Sequence, residues 1–469
     1  MHVDIERDPR NADCGAALSG LGIFPGESRV LIVGLGVTGL SVARFLIRLG
    51  VDVAITDNRA KPPCLAELQI LSADIPVFLG KFDRRAFEAA SHLVVSPGLS
   101  LETEEIFRAI ESGLALLSDI DLFASVVRAP VIGVTGSNGK STVTSLLGTM
   151  AKKAGWKVRT GGNLGVPALD LLDSADAVDL YVLELSSFQL ERTSILKTAA
   201  ATVLNISPDH MDRHGDIETY ARAKQSILSN CTVMVLNRDD PIVREMATKE
   251  QPVLWFGLSG DESLDFTVNR LDDEQWLIQR GNPLIQADAL KIKGRQNLAN
   301  AIAALALGQA AGLPMPAMLD GLRVFPGLPH RMQWIEKAHE VTWINDSKAT
   351  NVGACIAALE GFADKVILIA GGDGKGADFS GLKRVVQAKA RAVVLIGKDA
   401  DQLKGILESV VTVVKSVDLT QAVASAAALA EPGDTVLLSP ACASLDQFKD
   451  YQERGRIFEQ AVRELIHAC

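Results

Sequence analysis

Residues 133 to 142 read Gly-Val-Thr-Gly-Ser-Asn-Gly-Lys-Ser-Thr, directly after the apolar pair Val131 and Ile132. Glycines let a backbone curl so that successive N–H groups face phosphate oxygens. A lysine adds a mobile positive charge, and a neighbouring hydroxyl can hold Mg²⁺. A helix running from Lys140 to about Ala154 would aim the positive end of its dipole at the same phosphates. Gly136, Ser137, Asn138, Gly139, Lys140, Ser141 and Thr142 are therefore expected to seat a nucleotide triphosphate. The standard loop has a further glycine five residues before its Gly-Lys pair. Val134 stands there instead, so this loop is tighter. A plain strand-to-helix turn would leave Lys140 and two hydroxyls without a task.

A second glycine pattern, Gly34-x-Gly36-x-x-Gly39, follows the apolar run Val30 to Val33, and Asp57 ends the next apolar run. This is the dinucleotide fingerprint, in which an acid meets a ribose hydroxyl. Alone it favours an NAD-dependent oxidoreductase. A pyrophosphate joined to a ribose is also what a UDP-sugar carries, and the triphosphate loop downstream lowers the case for nicotinamide.

Two further groups sit where strands are expected to end. Glu184 follows Leu180 to Leu183, and Asp209-His210 follows the run ending at Leu204. A carboxylate and an imidazole at neighbouring strand ends suit a divalent ion beside the one that a nucleotide brings. His210 and His214 have the i, i+4 spacing of a helical zinc pair, but Gly215 follows at once and no third ligand is evident. A helix capped by Asp216 is expected to carry Tyr220 and Lys224 to about Leu228. Nothing in its spacing distinguishes Lys224 from a solvated lysine.

These groups need a frame to hold them. Short apolar runs alternate with helical stretches three times along the 469 residues, which implies an α/β protein with parallel sheets. The second series ends in short alternating runs at 255–256, 265–268 and 275–279, expected as antiparallel strands added to the larger sheet. The Pro-rich stretch Phe325 to His330 reads as a linker. Expected boundaries are an N-terminal extension at 1–27 and domains at 28–118, 119–327 and 328–469. With 47 basic and 57 acidic residues the net charge of −10 argues against a nucleic-acid surface. No apolar run is long enough to span a membrane, and six scattered cysteines read as free thiols. A cytoplasmic, monomeric protein is the expectation.

Taken together, the chain resembles the ATP-dependent Mur ligases, within them the D-glutamate-adding branch. The likeness runs from about Val30 to the C-terminus. It rests on Thr135 to Thr142, Leu183 to Gln189, Asp209 to Arg213, Leu328 to Arg331, Asn345 to Asn351, Gly371 to Lys375 and Ser439 to Phe448. The resemblance implies three domains: a Rossmann-like N-terminal one, a central P-loop-type ATPase domain and a Rossmann-like C-terminal one. It implies ATP, two Mg²⁺ ions, UDP-N-acetylmuramoyl-L-alanine and D-glutamate as partners, with the amide formed through an acyl phosphate.

By the same resemblance, Ser141 and Glu184 would hold the first Mg²⁺, and His210 with a carbamylated Lys224 the second. Val37, Thr38, Asp57, Asn58, Arg59 and Gly98 would hold the UDP moiety, and Asn163 and Ser186 the muramoyl-alanine part. Asn297, Asn300, Arg331 and Asp346 would contact ATP, and Lys348 would face the reacting phosphate and carboxylate. Thr350, Lys375, Ser444, Leu445 and Tyr451 would receive D-glutamate. Asn58 replaces a more usual hydroxyl residue, Tyr451 a more usual phenylalanine, and Ser207-Pro208 alters the approach to Asp209. Sibling ligases that add another amino acid, including the folylpolyglutamate-forming ones, are the nearest alternative. The run Ala441 to Asp446 speaks against them.

Overall fold

A computed structural model describes residues 15–173, 177–259, 261, 263–362 and 364–467. The expected N-terminal extension falls partly outside this range, at residues 1–14, as do Cys14 and Cys469. The rest of that segment is not an extension in the structural sense. Leu18 and Ile23 are fully buried, because apolar side chains next to a sheet gain more from covering it than from solvent.

The N-terminal sheet is wholly parallel, with strands β1 (Arg29–Val33), β2 (Asp52–Asp57), β3 (Val77–Leu79), β4 (His92–Val95) and β5 (Ala115–Leu117). Their order is β3-β2-β1-β4-β5. Val30 to Val33 are all fully buried, as expected of a strand covered on both faces. The glycine fingerprint links β1 to the Val37–Arg48 helix. A Cβ on Gly39 would lie 2.1 Å from Gly34 O, so the helix can approach the turn only without a side chain there.

The central sheet holds β6 (Val131–Thr135), β7 (Val158–Gly162), β8 (Leu180–Glu184), β9 (Thr198–Val203), β10 (Cys231–Asn237), β11 (Val253–Gly257), β12 (Phe266–Leu271), β13 (Glu274–Gln279) and β14 (Asn282–Gln286). Their order is β14-β13-β12-β11-β10-β9-β6-β8-β7. Only β12–β13 and β13–β14 are antiparallel. The run at 255–256, expected to be antiparallel, instead pairs parallel with β10 and β12. The helix Pro241–Glu245 supplies its crossover.

The C-terminal sheet holds β15 (Gln333–Ala338), β16 (Val341–Asn345), β17 (Val366–Gly371), β18 (Ala390–Ile396), β19 (Thr412–Lys415) and β20 (Thr435–Leu438). It runs β15-β16-β20-β17-β18-β19, and only the edge strand β15 is antiparallel.

One apolar cluster runs unbroken from Leu18 to Met246, so the first two sheets share a core. Polar contacts reinforce that seam. Asp170 accepts from Ser41 Oγ at 2.6 Å and Arg44 Nη1 at 3.0 Å, and the buried Arg192 donates to the carbonyls of Val95, Ser96 and Leu99. The C-terminal clusters draw only on residues beyond 330.

Candidate active site

The site forms at the carboxyl end of β6, where β8 and β9 flank it and the strand order reverses. Open parallel sheets form their ligand crevices at such a point. The loop after β6 is held to the chain opposite: Asn138 N donates to Asn205 Oδ1 at 2.8 Å, and Ser137 N to Asn205 O at 2.9 Å. Gly139 has φ +84°, and a Cβ there would lie 2.3 Å from Asn300 Oδ1. The Lys140–Lys153 helix starts at the next residue, so its free N–H groups point along the loop. Lys140 Nζ donates to the carbonyls of Gly136 at 2.8 Å and Ser137 at 3.0 Å.

Glu184 ends β8 and is 3% exposed. Its Oε1 accepts from Asn163 Nδ2 at 2.7 Å, while Oε2 is buried without a hydrogen-bond partner among the described residues. Burial pushes this carboxyl up, but Lys140, Ser141, Asn163 and Arg331 outweigh it and hold it below its usual value. A buried, ionised carboxylate with one free oxygen beside a hydroxyl fits a hard cation such as Mg²⁺.

Lys224 lies on the helix Ile217–Gln225, which Asp216 caps by accepting from Thr219 N. It is 1% exposed, and its Nζ donates to Gly136 O at 2.9 Å, the same carbonyl that Lys140 uses. Burial, aided by Lys140, pushes its ammonium well below the usual lysine value. An uncharged amine is the form that can react with CO₂, so the residue fits carbamylation.

His210 is left-handed at φ 57° and precedes a single helical turn, Met211–His214, that Gly215 ends. Burial lowers its affinity for a proton, although Asp209 opposes this. His214 does not join it as a ligand pair, because its Nε2 lies 2.9 Å from Ser187 Oγ.

Two adjoining cavities, of about 340 and 360 Å³, open around the loop. Asn297, Asn300, Thr142 and Asp346 line the first. Asn163, Glu184, Ser186, His210, Lys224 and Lys140 line one side of the second. Thr350, Lys375, Ser444, Leu445 and Tyr451 line its other side. Asn138, Gly139, Arg331 and Lys348 border both. Arg331 Nη2 donates to Ser141 Oγ at 2.6 Å, across the two domains. Burial pushes Asp346 up to about 7 and Lys348 down to about 8. Lys348 Nζ sits 3.9 Å from the Tyr451 ring centroid.

The six N-terminal residues line neither cavity and gather at the ends of β1, β2 and β4. Val37 is 62% exposed there. Asp57 is buried, and its oxygens accept from Leu35 N, Arg59 N and the Arg59 guanidinium. The carboxylate thus fixes the glycine turn and holds Arg59 beside it.

Three family models cover the chain: the Mur ligase MurD-like N-terminal domain at residues 28–118, the Mur ligase middle domain at 134–308 and the Mur ligase glutamate ligase domain at 330–442. The chain belongs to the Mur ligase family. It is 53% identical over 455 residues to the UDP-N-acetylmuramoylalanine–D-glutamate ligase of Methylococcus capsulatus, covering 97% of this chain and 98% of that protein. The enzyme of the same name from Nitrosococcus oceani is 51% identical over 438 residues, covering 93% and 96%. Among solved structures, a pseudomurein peptide ligase type C from Methanothermus fervidus has a TM-score of 0.61 at 19% identity. The UDP-N-acetylmuramate-alanine ligase of Thermotoga maritima has 0.60 at 18%, and each match covers 94% of this chain and 100% of the other. These two share the fold.

In this Mur ligase several supporting residues carry no local sequence signal. Arg454, on the final helix Tyr451–His467, is fully buried. Its guanidinium donates to Ser347 Oγ at 3.0 Å, Ser347 O at 2.8 Å, Cys442 O at 3.1 Å and Ala443 O at 3.3 Å. One side chain so binds the loop bearing Lys348 and Thr350 to the loop bearing Ser444. Asn351 Nδ2 donates to Asp209 Oδ2 at 3.0 Å, joining the C-terminal domain to the His210 turn. The Asn205 contact to the phosphate loop belongs with these. Only the run of polar residues after β9 could have pointed to it.

Proposed function

We propose that this Mur ligase joins D-glutamate to UDP-N-acetylmuramoyl-L-alanine at the expense of ATP; its half-identical relatives are named UDP-N-acetylmuramoylalanine–D-glutamate ligase. The observation that carries the reading is the shared border of the two cavities. Asn138, Gly139, Arg331 and Lys348 belong to both, so a phosphoryl group held from one side faces an acyl group and an amine on the other.

The substrate carboxylate attacks the γ-phosphorus of ATP, the bond to the bridging oxygen breaks, and ADP leaves. The D-glutamate amine then attacks the acyl carbon, loses a proton, and expels phosphate. Two anions must first approach each other, so positive charge is the main requirement. Lys140, Arg331 and Lys348 supply it from this chain. Ser141 and the free oxygen of Glu184 would hold one Mg²⁺, and His210 with Lys224 a second; the ions supply further charge neutralisation when bound. The neutral Lys224 amine would add to CO₂ and lose one proton, which turns the side chain into an anionic oxygen ligand. Lys375, exposed at φ 53° and lining the second cavity, would pair with a D-glutamate carboxylate. The Val37, Thr38, Asp57, Asn58, Arg59 and Gly98 cluster would take the UDP end. Soluble nucleotide substrates make the cytoplasm the natural compartment.

Phosphate release with ATP, Mg²⁺ and UDP-N-acetylmuramoyl-L-alanine tests the reading. It should require D-glutamate and fail with L-glutamate, L-lysine or meso-diaminopimelate. Equal release with another amino acid would make the protein a sibling ligase, and no release with any would remove the activity.

A further inference from the structure

His210 and Lys224 sit 14 positions apart in the chain, yet a continuous pile of rings connects them. Phe188 packs edge-on against His210, centroids 5.0 Å apart, and lies flat on His214 at 5.3 Å and 5°. His214 in turn meets Tyr220 at 5.2 Å. The Lys224 Nζ rests over the Tyr220 ring, 4.6 Å from its centroid. His214 is the middle of this pile and is 8% exposed. Its Nε2 lies 2.9 Å from the Oγ of Ser187, which is 2% exposed. Ser187 begins the short helix that Ser186 caps, so the imidazole also pins the segment after Glu184.

The backbone gives His214 a second hold on the site. His214 N donates to His210 O at 3.0 Å, closing the turn between the two histidines. His210 itself occupies a left-handed conformation that a residue with a Cβ adopts only when its surroundings impose it. The surroundings here are Asp209, whose Oδ1 accepts from His210 N at 3.0 Å, and the far end of the turn, which His214 anchors.

We infer that His214 is a positioning residue: clamped between Phe188 and Tyr220 and anchored on Ser187, it sets the distance and direction of His210 and Lys224. The inference rests on the proposed function for what those two residues do, and it adds a residue to which no ligand contact is assigned. The ring, more than the hydrogen bond, transmits the constraint, because the imidazole is stacked on Phe188 and meets the tilted Tyr220 ring at 5.2 Å and 56°. A phenylalanine keeps the stack and loses only Ser187, while an alanine opens a gap in the middle of it.

Three variants separate the contributions: His214→Ala, His214→Phe and His214→Tyr. Supporting residues behind a metal ligand typically change metal affinity or activity by about 10–100-fold. His214→Ala should raise the Mg²⁺ concentration for half-maximal rate by about that factor and lower kcat, with KM for ATP and the UDP-substrate little changed. His214→Phe should recover most of both, and His214→Tyr less, for want of room. Carbon-13 NMR of the protein in ¹³C-bicarbonate gives a readout that needs no turnover. The carbamate resonance, assigned by its loss in Lys224→Ala, should shrink in His214→Ala and return in His214→Phe.

Wild-type Mg²⁺ dependence and carbamate signal retained in His214→Ala would overturn the inference. So would a His214→Phe protein as impaired as His214→Ala while unfolding at the wild-type temperature. If the wild-type protein shows the carbamate but no D-glutamate-dependent phosphate release, the proposed activity fails while the NMR comparison still decides the role of His214. If it shows release without a carbamate, the Mg²⁺ dependence decides.

Discussion

At the residue scale, buried ionisable groups mark the chemistry, and two of them lead to direct tests. Lys224 is enclosed, drawn toward its neutral form and tied to the carbonyl that Lys140 also uses. Lys224→Ala should lower ligation by about 10³-fold or more, in line with losing a group that acts in the transition state, while nucleotide binding stays within a few-fold by calorimetry. Turnover near the wild-type rate would remove Lys224 from the site. Asp119 is also buried, but outside both cavities, with Gln189 Nε2 at 3.3 Å, and burial pushes its carboxyl up to about 6. Its ordinary value is 3.8, so the unfolded chain ionises it first. Stability from this group is therefore full at low pH and is lost as pH rises through about 6. Asp119→Asn should be stabilising by about 1–3 kcal/mol at pH 8, with the gain shrinking towards pH 5. A thermal-unfolding series across that range checks both sign and window. The phosphate loop was legible because its chemistry is contiguous in sequence. Arg454 and His214 were not, since Arg454 reaches Ser347 across 107 positions and His214 reaches Ser187 across 27. Spacing rules see only near neighbours.

At the element scale, long apolar strands announced themselves and short half-exposed ones did not. β1, β17 and β18 are buried runs that read as parallel-sheet strands from sequence. β3, β19 and the edge strand β15 carry too few buried apolar residues to stand out. The parallel direction of β11 is not legible in its sequence, because direction depends on a distant partner and a half-buried pattern suits either answer. Elements also carry function through their cross-links. The Tyr451–His467 helix lines the second cavity with Tyr451 and, one turn later, orders two loops through Arg454. Arg454→Met should fill the space but take the donor from Ser347 Oγ, Ser347 O and Cys442 O, each costing about 1–3 kcal/mol if not otherwise satisfied, while Ala443 O keeps Asp373 N at 3.1 Å. The KM for D-glutamate should rise by roughly tenfold or more, with ATP affinity changing much less. A parallel loss of both would point to general unfolding.

At the scale of the whole molecule, the three sheets are unequally joined. The first two share one apolar cluster and the Asp170 and Arg192 contacts. The third keeps its own clusters and meets the central domain through Arg331–Ser141, the contacts of Asn351 with Asp209 and Asn138, and the packing of the Val352–Glu360 helix on the Arg295–Ala310 helix. A calorimetric scan without ligands should therefore show two transitions, one for residues up to the linker and one for the C-terminal domain. ATP together with the UDP-substrate should raise both and bring them together, because ligands that bridge domains stabilise the bridged state. A single unliganded transition would mean that these contacts couple the domains fully.

The burial of Leu18 and Ile23 bears on how this protein is best produced in shortened form. A cut at residue 28, where the N-terminal family model begins, looks natural on an alignment. It would strip two apolar plugs from the cluster that the first two sheets share and leave a greasy hole there. Trimming no further than residue 15 keeps that surface sealed, and the shorter version should be the one that clumps during purification.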